Sequence, residues 1–371
     1  MTSTWIDAAW QHTVDSTLRT AQRISDTFPH VVLDGAYDQR EAAWWTAGFW
    51  PGLLWLVYRS EQRNELLPIL ASCERQLEEC LHDTESVDHD LGFIWLLSGV
   101  ASYGLTAEQD SRRRSLLAAN LLSARFHLSG RFIRAWNFES TFMDTRYVAI
   151  IDSMMNLPLL HWASAESGDS RFAEIAVAHA DTVASEFVRS DGSISHVMEF
   201  LPGQTPIQHG GQGYAPGSAW ARGTSWAVYG FALSYGWTKN PRDLQVAEGA
   251  ADFFLAELGD DIVPYWDFRA PEEHRIAWDS SASAIVASGL LELARYSAKG
   301  EKYQEAAERI LKGLYEQYTS PAGEEGIITK GTVHYPEQKY LNVPIIYGDY
   351  FFAEALAKLR GEQGFFSLSS K

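Results

Sequence analysis

The sequence alternates between two kinds of helical segment, and this alternation restricts the fold more than any other feature. Apolar side chains recur with helical periodicity in about twelve segments, and alternating strands are almost absent. The odd-numbered segments, such as EKYQEAAERILKGLYEQY, are charged with one apolar face, as in helices that keep one side in water. The even-numbered segments, such as SAWARGTSWAVYGFALSY, are nearly uncharged and rich in small and aromatic residues. Helices of that composition must be enclosed on all sides.

Exposed and enclosed helices that alternate along a chain predict an inner ring of helices wrapped by an outer ring. We therefore expect an all-α protein, an (α/α)6 toroid of six helical hairpins. A helical solenoid could show similar alternation, but solenoids carry a fixed sequence period and capping repeats, and neither is visible here. Because no proline-, glycine- or serine-rich linker divides the chain, we expect a single catalytic domain over residues 1–371.

Charge and apolar run length exclude several classes of partner. The formal net charge is −18, so the chain has no basic footprint for nucleic acid or an anionic membrane. The longest apolar run, AGFWPGLLWLVY, is too short to span a bilayer. No apolar core of an export signal is visible near the start, and Cys73 and Cys80 lie too far apart on one helix for a disulfide. We expect a cytoplasmic protein, a monomer or weak homodimer.

The few polar side chains of the enclosed segments fall near the segment starts. They are Asp90 in DHDLGF, Asp152 in IIDSMMN, Arg222 in AWARGTSW, Asp279 in AWDSSASA and Asp349 in YGDYFF. If the inner helices share a direction, these starts meet at one mouth of the toroid, which would hold the active site. Aspartate at a helix start is commonly a cap, and we expect that role for Asp279 and Asp349. Asp152, predicted inside an apolar helix, should instead be short of water and prone to keep a proton.

Two carboxylates that face one pocket are the usual equipment of sugar hydrolysis. The chain has 14 Trp, and tryptophan stacks well on sugar rings, although about half of them should belong to the core on burial grounds. Zinc-site, nucleophile-elbow and phosphate-loop patterns are absent: there is no HExxH or CxxC, and HGGQGY is not followed by Lys-Ser/Thr. We therefore expect neither a metal nor an organic cofactor.

Five motifs occur in the order found in one known family. WWTAGFWPG, DHDLGF, IIDSMMNLPLL, WARGTSWAVYGF and YGDYFFAEAL together resemble the unsaturated glucuronyl hydrolases of glycoside hydrolase family 88. The resemblance runs from about Trp44 to Leu356 and implies a toroid of six hairpins. It also implies removal of the non-reducing-end 4,5-unsaturated uronic acid from oligosaccharides that polysaccharide lyases release.

The resemblance also implies roles for individual residues. Asp152 corresponds to the general acid/base, which would protonate C4 of the unsaturated sugar and then activate water for attack at C5. Asp90 corresponds to the second essential carboxylate, which would orient sugar hydroxyls and help to keep Asp152 protonated. Positions that line the sugar site correspond to Trp45, His89, Trp136, His196, Gln212, Arg222, Trp226 and Tyr340. Arg222 would face either the uronate or a carboxylate of the protein.

The chain end FFSLSSK offers a further expectation from the same resemblance. Some family members use serine and lysine near the chain end to receive a sulfate group of the substrate. Ser367, Ser369, Ser370 and Lys371 would occupy that position here, although a frayed terminus gives the same sequence pattern.

Three other functions stay open at this point. An unsaturated rhamnogalacturonyl hydrolase shares the toroid and the chemistry but usually lacks the HDxGF carboxylate, which Asp90 supplies here. A sugar epimerase or isomerase on the same fold would need a histidine pair, for which His89 and His196 are the candidates. A non-catalytic carbohydrate-binding toroid would bind sugars through its aromatic residues, and Asp152 would have no functional role.

Overall fold

The computed structural model describes residues 4–367, and twelve helices in this range follow the predicted order. The six outer helices carry the charged segments: α1 Thr4–Ile24, α3 Leu67–Cys80, α5 Gln109–Ala124, α7 Ser170–Glu186, α9 Pro241–Leu258 and α11 Gly300–Gln317. The inner helices are α2 Phe49–Glu61, α4, α6 Leu157–Ser167, α8 Ala221–Thr238, α10 Ser280–Ala294 and α12 Ile346–Leu359. Helix α4 is continuous through Leu91–Trp95, a π-helical turn Leu96–Val100 and Ala101–Thr106. The predicted alternation of exposed and enclosed helices is confirmed.

The inner helices close into a ring. Each packs against the next, α2 on α4, α4 on α6, α6 on α8, α8 on α10 and α10 on α12, and α12 returns to α2. Each outer helix packs against its inner neighbour in the same hairpin or the adjacent one. A solenoid would leave its first and last repeats apart, so the ring contact between α12 and α2 establishes the (α/α)6 toroid, which forms a single domain.

Burial explains the composition of the inner helices. Helix α8 is buried continuously from Ala221 to Ser234, and α12 from Ile346 to Ala357. Small side chains permit this packing, since a methyl group on Gly289 would lie 2.8 Å from Tyr229 Cβ on the neighbouring inner helix. Of the helices in the described range, none is long and apolar enough to cross a membrane.

Short strands and 3-10 turns lie in the loops between helices. The strands are β1 Val32–Leu33, β2 Ala36–Tyr37, β3 Phe126–His127, β4 Phe132–Ile133, β5 Val148–Ile150, β6 Val197–Glu199 and β7 Ile207–His209. They form two antiparallel hairpins, β1–β2 and β3–β4, and one antiparallel sheet in the order β5–β6–β7. The 3-10 turns are Asn64–Leu66, Thr145–Tyr147, Ile151–Met155, Glu272–His274 and Phe365–Ser367.

The structure corrects the predicted setting of Asp152. The segment before it is extended, as strand β5, and Asp152 lies on the 3-10 turn Ile151–Met155 rather than inside a helix. Strand β5 contains the β-branched residues Val148 and Ile150, which favour extended backbone, and it pairs with β6. The carboxylate therefore lies at a junction between strand and helix, where its direction is fixed by the sheet.

The expected caps at Asp279 and Asp349 are wrong. Asp279 starts α10 but makes no capping bond, and its carboxylate accepts from Ser281 Oγ, from Arg222 and, at 3.3 Å, from the backbone N of Thr332. Asp349 accepts from the backbone N atoms of Ile327 and Ile328 at 2.8 and 2.9 Å and from Tyr37 Oη at 2.5 Å. Both carboxylates hold loops from elsewhere in the chain against the inner ring.

Candidate active site

The starts of the inner helices meet at one end of the ring, as the sequence predicts. Asn156, just before α6, donates from Nδ2 to Asp90 Oδ1 at the start of α4, over 3.1 Å. Trp45, before α2, lies 5.1 Å from Tyr347 at the start of α12, measured between ring centroids. Arg222 in α8 reaches Asp279 at the start of α10. One mouth therefore collects residues from all six hairpins.

Asp90 and Asp152 are buried at this mouth and held by different neighbours. Each side chain retains about an eighth of its surface, with a relative exposure of 12%. Asp90 Oδ1 accepts from Asn156 and lies 3.5 Å from His89 Nε2. Asp152 Oδ2 lies 3.5 Å from His196 Nε2 and has no hydrogen-bond partner within the described chain. Asp152 therefore has a buried carboxylate oxygen that no hydrogen bond of the described chain satisfies.

A close approach between α4 and the turn that carries Asp152 brings the two carboxylates together. A methyl group on Gly92 would lie 2.4 Å from Asn156 Cα, so only glycine permits this contact. The backbone N of Phe93 donates to Asn156 Oδ1 at 2.8 Å, and His89 Nδ1 lies 2.9 Å from Ser153 Oγ. These two bonds fix the DHDLGF segment against the IIDSMMN segment.

The surroundings favour the protonated form of Asp90. Burial raises the pKa of Asp90 well above its usual range, and the carboxylates of Asp88 and Asp152 raise it further. The Asn156 amide and the Arg125 guanidinium oppose this shift without cancelling it. The Asp152 carboxylate thus contributes to the raised pKa of Asp90 as a nearby like charge. From the sequence we expected the carboxyl group that keeps a proton to be Asp152. In the structure the carboxyl group with the raised pKa is Asp90.

Two histidines, His89 and His196, lie beside the carboxylates. Burial lowers the pKa of His89 to about 3, so this ring is neutral at physiological pH. His196 Nδ1 accepts from the backbone N of Gln212 at 2.8 Å, and its ring packs on Trp220 at 4.3 Å. The epimerase alternative requires two histidines that exchange protons, and a neutral, deeply buried His89 does not suit that task.

Arg222 is the partner of a protein carboxylate, which answers the question that the sequence left open. Its Nη1 donates to Asp279 and, at 2.6 Å, to the Thr332 carbonyl. Its Nη2 donates to Gln212 Oε1 at 2.8 Å and to the Val333 carbonyl at 2.7 Å. The guanidinium thus joins its own helix to three other segments of chain. Only 2% of the Arg222 surface is exposed.

Aromatic rings line the rest of the mouth. Trp226 is fully buried against Phe93, with a centroid distance of 5.1 Å, and its Nε1 has no partner within the described chain. Trp136 and Tyr340 lie further out and are half-buried. Tyr340 Oη accepts from Arg40 Nη2 at 2.8 Å, in a backbone conformation with φ of +50°.

All ten sequence-predicted site residues lie at or beside this mouth. Sequence reasoning did not single out Asn156, which joins the two carboxylate segments, or Tyr347, whose buried hydroxyl has no partner within the described chain. Both lie inside motifs that were recognised, IIDSMMN and YGDYFF, so the motif itself was the available signal.

Unpartnered polar atoms are concentrated at the mouth. Those on site residues are Asp152 Oδ2, His89 Nε2, His196 Nε2, Trp226 Nε1 and Tyr347 Oη. A buried polar atom without a partner costs about 1–3 kcal/mol, so natural proteins keep such atoms mainly where a function uses them. One acceptor and several potential donors around aromatic rings suit a polyhydroxylated ring with a carboxylate.

Metal ligation is the other chemistry that this cluster might support. Asp88, His89 and Asp90 have ligand atoms within 4.8 Å of one another. Most of these atoms are already engaged: Asp88 accepts from the backbone N of Asp90 at 2.9 Å, His89 contacts Ser153, and Asp90 accepts from Asn156. The donor set is thus organised by bonds within the protein.

At the chain end, only part of the expected sulfate position can be described. Ser367 is buried and donates to Glu292 Oε2 at 2.5 Å, on the inner helix α10. Ser369, Ser370 and Lys371 lie outside the described residues. The hydroxyl of Ser367 is therefore committed to a protein carboxylate.

Comparison with known proteins identifies similar chains over nearly the full length. The model of Glycosyl Hydrolase Family 88 matches residues 18–356. The chain is 35% identical to an unsaturated glucuronyl hydrolase of Bacillus sp. (strain GL1), covering 96% of this chain and 98% of that protein. It is 32% identical to an unsaturated chondroitin disaccharide hydrolase of Streptococcus pyogenes serotype M1, covering 88% and 83%. A solved UGL structure described as D88N with dGlcA-Glc-Rha-Glc superposes with a TM-score of 0.92 at 33% identity, covering 98% and 99%.

Proposed function

The chain belongs to glycosyl hydrolase family 88 and is a glycosidase, and we propose that it removes the non-reducing-end 4,5-unsaturated uronic acid from lyase-generated oligosaccharides. The observation that carries the proposal is the pair of buried carboxylates, Asp90 and Asp152, at a mouth lined by tryptophans. The relatives support the substrate class, since one is named for a chondroitin disaccharide and another was solved with dGlcA-Glc-Rha-Glc.

The proposed chemistry is hydration of the double bond. An unsaturated uronate is a vinyl ether whose ring oxygen donates electrons into the bond between C4 and C5. Asp152 gives a proton to C4, which produces an oxocarbenium-like centre at C5. The ionised Asp152 then takes a proton from water as the water oxygen attacks C5. The resulting hemiketal opens and releases the remaining sugar.

Asp90 supplies the proton for the first step. In the free protein the surroundings favour a proton on Asp90. Sugar hydroxyls that donate hydrogen bonds to Asp90 would stabilise its ionised form, so that its proton passes to the neighbouring Asp152. In this account Asp90 both orients the sugar and moves the proton to the reacting carboxyl. Trp45, Trp136 and Tyr340 would contact the rings, while Gln212 and His196 would bind polar groups. Trp226, which is fully buried, would contribute to the sugar site through its packing on Phe93.

We further propose that one chain carries a complete site over residues 1–371. In this proposal the protein acts as a monomer or weak homodimer. No metal or organic cofactor takes part in the proposed steps. Cys73 and Cys80 are free thiols, in keeping with the proposed cytoplasmic location.

The proposal is tested with unsaturated disaccharides prepared by lyase digestion of hyaluronan, chondroitin, heparin, gellan and ulvan. We expect loss of the ultraviolet absorbance of the conjugated double bond with at least one of them, together with release of the neighbouring sugar. An isomerase or a binding protein would leave both the absorbance and the glycosidic bond unchanged across the whole panel.

The charge of Asp88 should set the basic limb of the pH profile. Activity requires the proton of Asp90, which is lost as pH rises through the raised pKa of this carboxyl. Asp88→Asn removes one charge that raises this pKa while retaining an oxygen for the Asp90 N–H. The fall in kcat/KM at high pH should therefore begin at lower pH in the variant than in the wild-type protein.

The matched control is Glu85→Gln, which removes an exposed charge from the same loop. Its basic limb should coincide with that of the wild-type protein. If Asp88→Asn also leaves the limb in place, the pair does not provide the reacting proton.

A further inference from the structure

A loop beside the mouth exposes two phenylalanine rings. Phe138 is 55% exposed and Phe142 is 85% exposed, and both lie in the irregular segment between β4 and β5. Scattered apolar residues are common on surfaces, but two large rings within five residues of one loop form a local apolar patch. Exposed rings do not contribute the stabilisation that burial would give, so we consider a binding role for this patch.

This patch continues the aromatic lining of the mouth. The backbone N of His89 donates to the Ala135 carbonyl at 3.2 Å, and Asn137 Nδ2 donates to the Val87 carbonyl at 2.7 Å. Residues 135–137 therefore run alongside residues 87–89, next to Asp90. The Trp136 ring stacks on the Phe138 ring, with centroids 5.2 Å apart and planes at 30°. Aromatic surface thus extends outward from the carboxylate pair through Trp136 to Phe138.

The loop is held in place at both ends of the exposed stretch. Thr145 Oγ1 donates to the Phe138 carbonyl at 2.7 Å. The backbone N of Asp144 donates to Glu199 Oε1 at 2.6 Å, and Glu199 is buried on strand β6. The phenylalanines are therefore presented on a fixed support, which lowers the entropy lost on binding.

A groove of about 780 Å³ follows this loop, within the size range of small-molecule sites. Its charged lining residues are Arg134 and Arg146, which are basic, and Glu139 and Asp144, which are acidic. The groove therefore carries no net formal charge, in a protein whose net charge is −18. Stacking on ring faces, rather than attraction of an anion, is the chemistry that it offers.

We infer that Phe138 and Phe142 form a distal subsite, which binds the sugar rings that follow the residue bonded to the unsaturated uronate. The inference rests on the proposed function, because it assumes that the uronate occupies the mouth at Asp90 and Asp152. The distal subsite gives longer oligosaccharides an advantage over disaccharides. Since it acts through ring stacking, the advantage is insensitive to salt concentration.

The experiment compares the unsaturated disaccharide with the unsaturated tetrasaccharide from the same lyase digest, for each of the five polysaccharides of the panel. For each, kcat/KM is measured from the loss of double-bond absorbance, in the wild-type protein and in Phe138→Ala/Phe142→Ala. We expect the ratio of tetrasaccharide to disaccharide kcat/KM to fall about threefold to tenfold in the double variant, mainly through KM. The control is Leu128→Ala, an 84% exposed apolar residue on the β3–β4 turn, for which the ratio should not change.

The outcomes separate this inference from the proposed function. If neither oligosaccharide loses its double bond, the proposed function fails and the subsite falls with it. If both react but the ratio in the double variant equals that of the wild-type protein, the distal subsite is refuted while the function stands. A ratio that falls equally in Leu128→Ala, or an advantage abolished by raised salt, would also refute a stacking subsite at these two rings.

Discussion

Replacing Asp152 with asparagine is expected to remove most turnover while the fold and sugar binding persist. The amide has the shape of the carboxyl group, and strand β5 together with the bond from Ile151 N to the His196 carbonyl, 3.0 Å, keeps the side chain in place. It cannot deliver a proton to C4 or accept one from water. Loss of positioned acid and base chemistry typically costs about 10²–10⁴-fold in rate, so kcat should fall by that factor.

This loss is measured as kcat from double-bond absorbance, with substrate affinity followed by tryptophan fluorescence. Asp243→Asn provides the control, because Asp243 is also buried but lies on the outer helix α9, where it accepts from Ser234 Oγ at 2.8 Å. The control should retain wild-type kcat. A near-wild-type kcat in Asp152→Asn would remove Asp152 from the chemistry.

Arg222→Lys is expected to destabilise the protein strongly and to lower kcat with it. A lysine ammonium cannot reproduce the planar fork that serves Asp279, Gln212 and two carbonyls at once. Breaking a buried ion pair leaves uncompensated polar groups, and we expect the free energy of unfolding to drop by about 3 kcal/mol. Because Gln212 positions His196 beside Asp152, misplacement should reach the reacting carboxyl.

Thermal unfolding and steady-state kinetics on the same variant distinguish the two roles of Arg222. A lowered melting temperature with reduced kcat and little change in KM is the expected result for a structural partner of Asp279. Arg171→Lys is the control, since Arg171 forms its ion pair with Asp169 on the surface and should show no measurable change. An intact melting temperature with a greatly raised KM would instead make Arg222 a direct ligand of the uronate.

The ring of helices could be predicted because burial imposes it on composition. Helix α8 is enclosed along almost its whole length, so its sequence is nearly uncharged. Helix α11 has one face in water, and its sequence carries charged residues on that face. The position of the polar exceptions near the helix starts followed from the same rule. A polar group buried inside the ring of helices is found mainly where it has a hydrogen-bond partner or a function.

Other features depend on contacts that no local pattern reports. The apolar run before Asp152 is equally compatible with a helix and a strand, and the partner strand β6 lies about 50 residues later, outside the range of any periodicity test. The pairing of Arg222 with Asp279 and the loop contacts of Asp349 join segments distant in sequence. Local propensity therefore predicted helix caps at Asp279 and Asp349, whereas in the fold both carboxylates bind segments that are distant in sequence.

The sequence also could not predict which of the two carboxyl groups, Asp90 or Asp152, has the raised pKa. An apolar neighbourhood identified Asp152 as the group that keeps a proton, but the pKa raised by burial is that of Asp90. Burial is the largest cause of this shift, and the nearby carboxylates of Asp88 and Asp152 add to it. The contact between Gly92 and Asn156 brings the segment of Asp152 close to Asp90. Motif order could place the two residues in one family, but the burial of Asp90 and its proximity to Asp152 follow only from the folded structure.

In the proposed reaction Asp152 adds a proton at C4, and water then adds at C5. Turnover in deuterium oxide, followed by NMR from the first minutes, tests this step directly. We expect deuterium to enter C4 of the released uronate at the rate at which the double bond disappears, and Asp152→Asn to abolish both together. Release of a uronate that still carries its double bond and no deuterium at C4 would show direct cleavage of the glycosidic bond and rule out hydration.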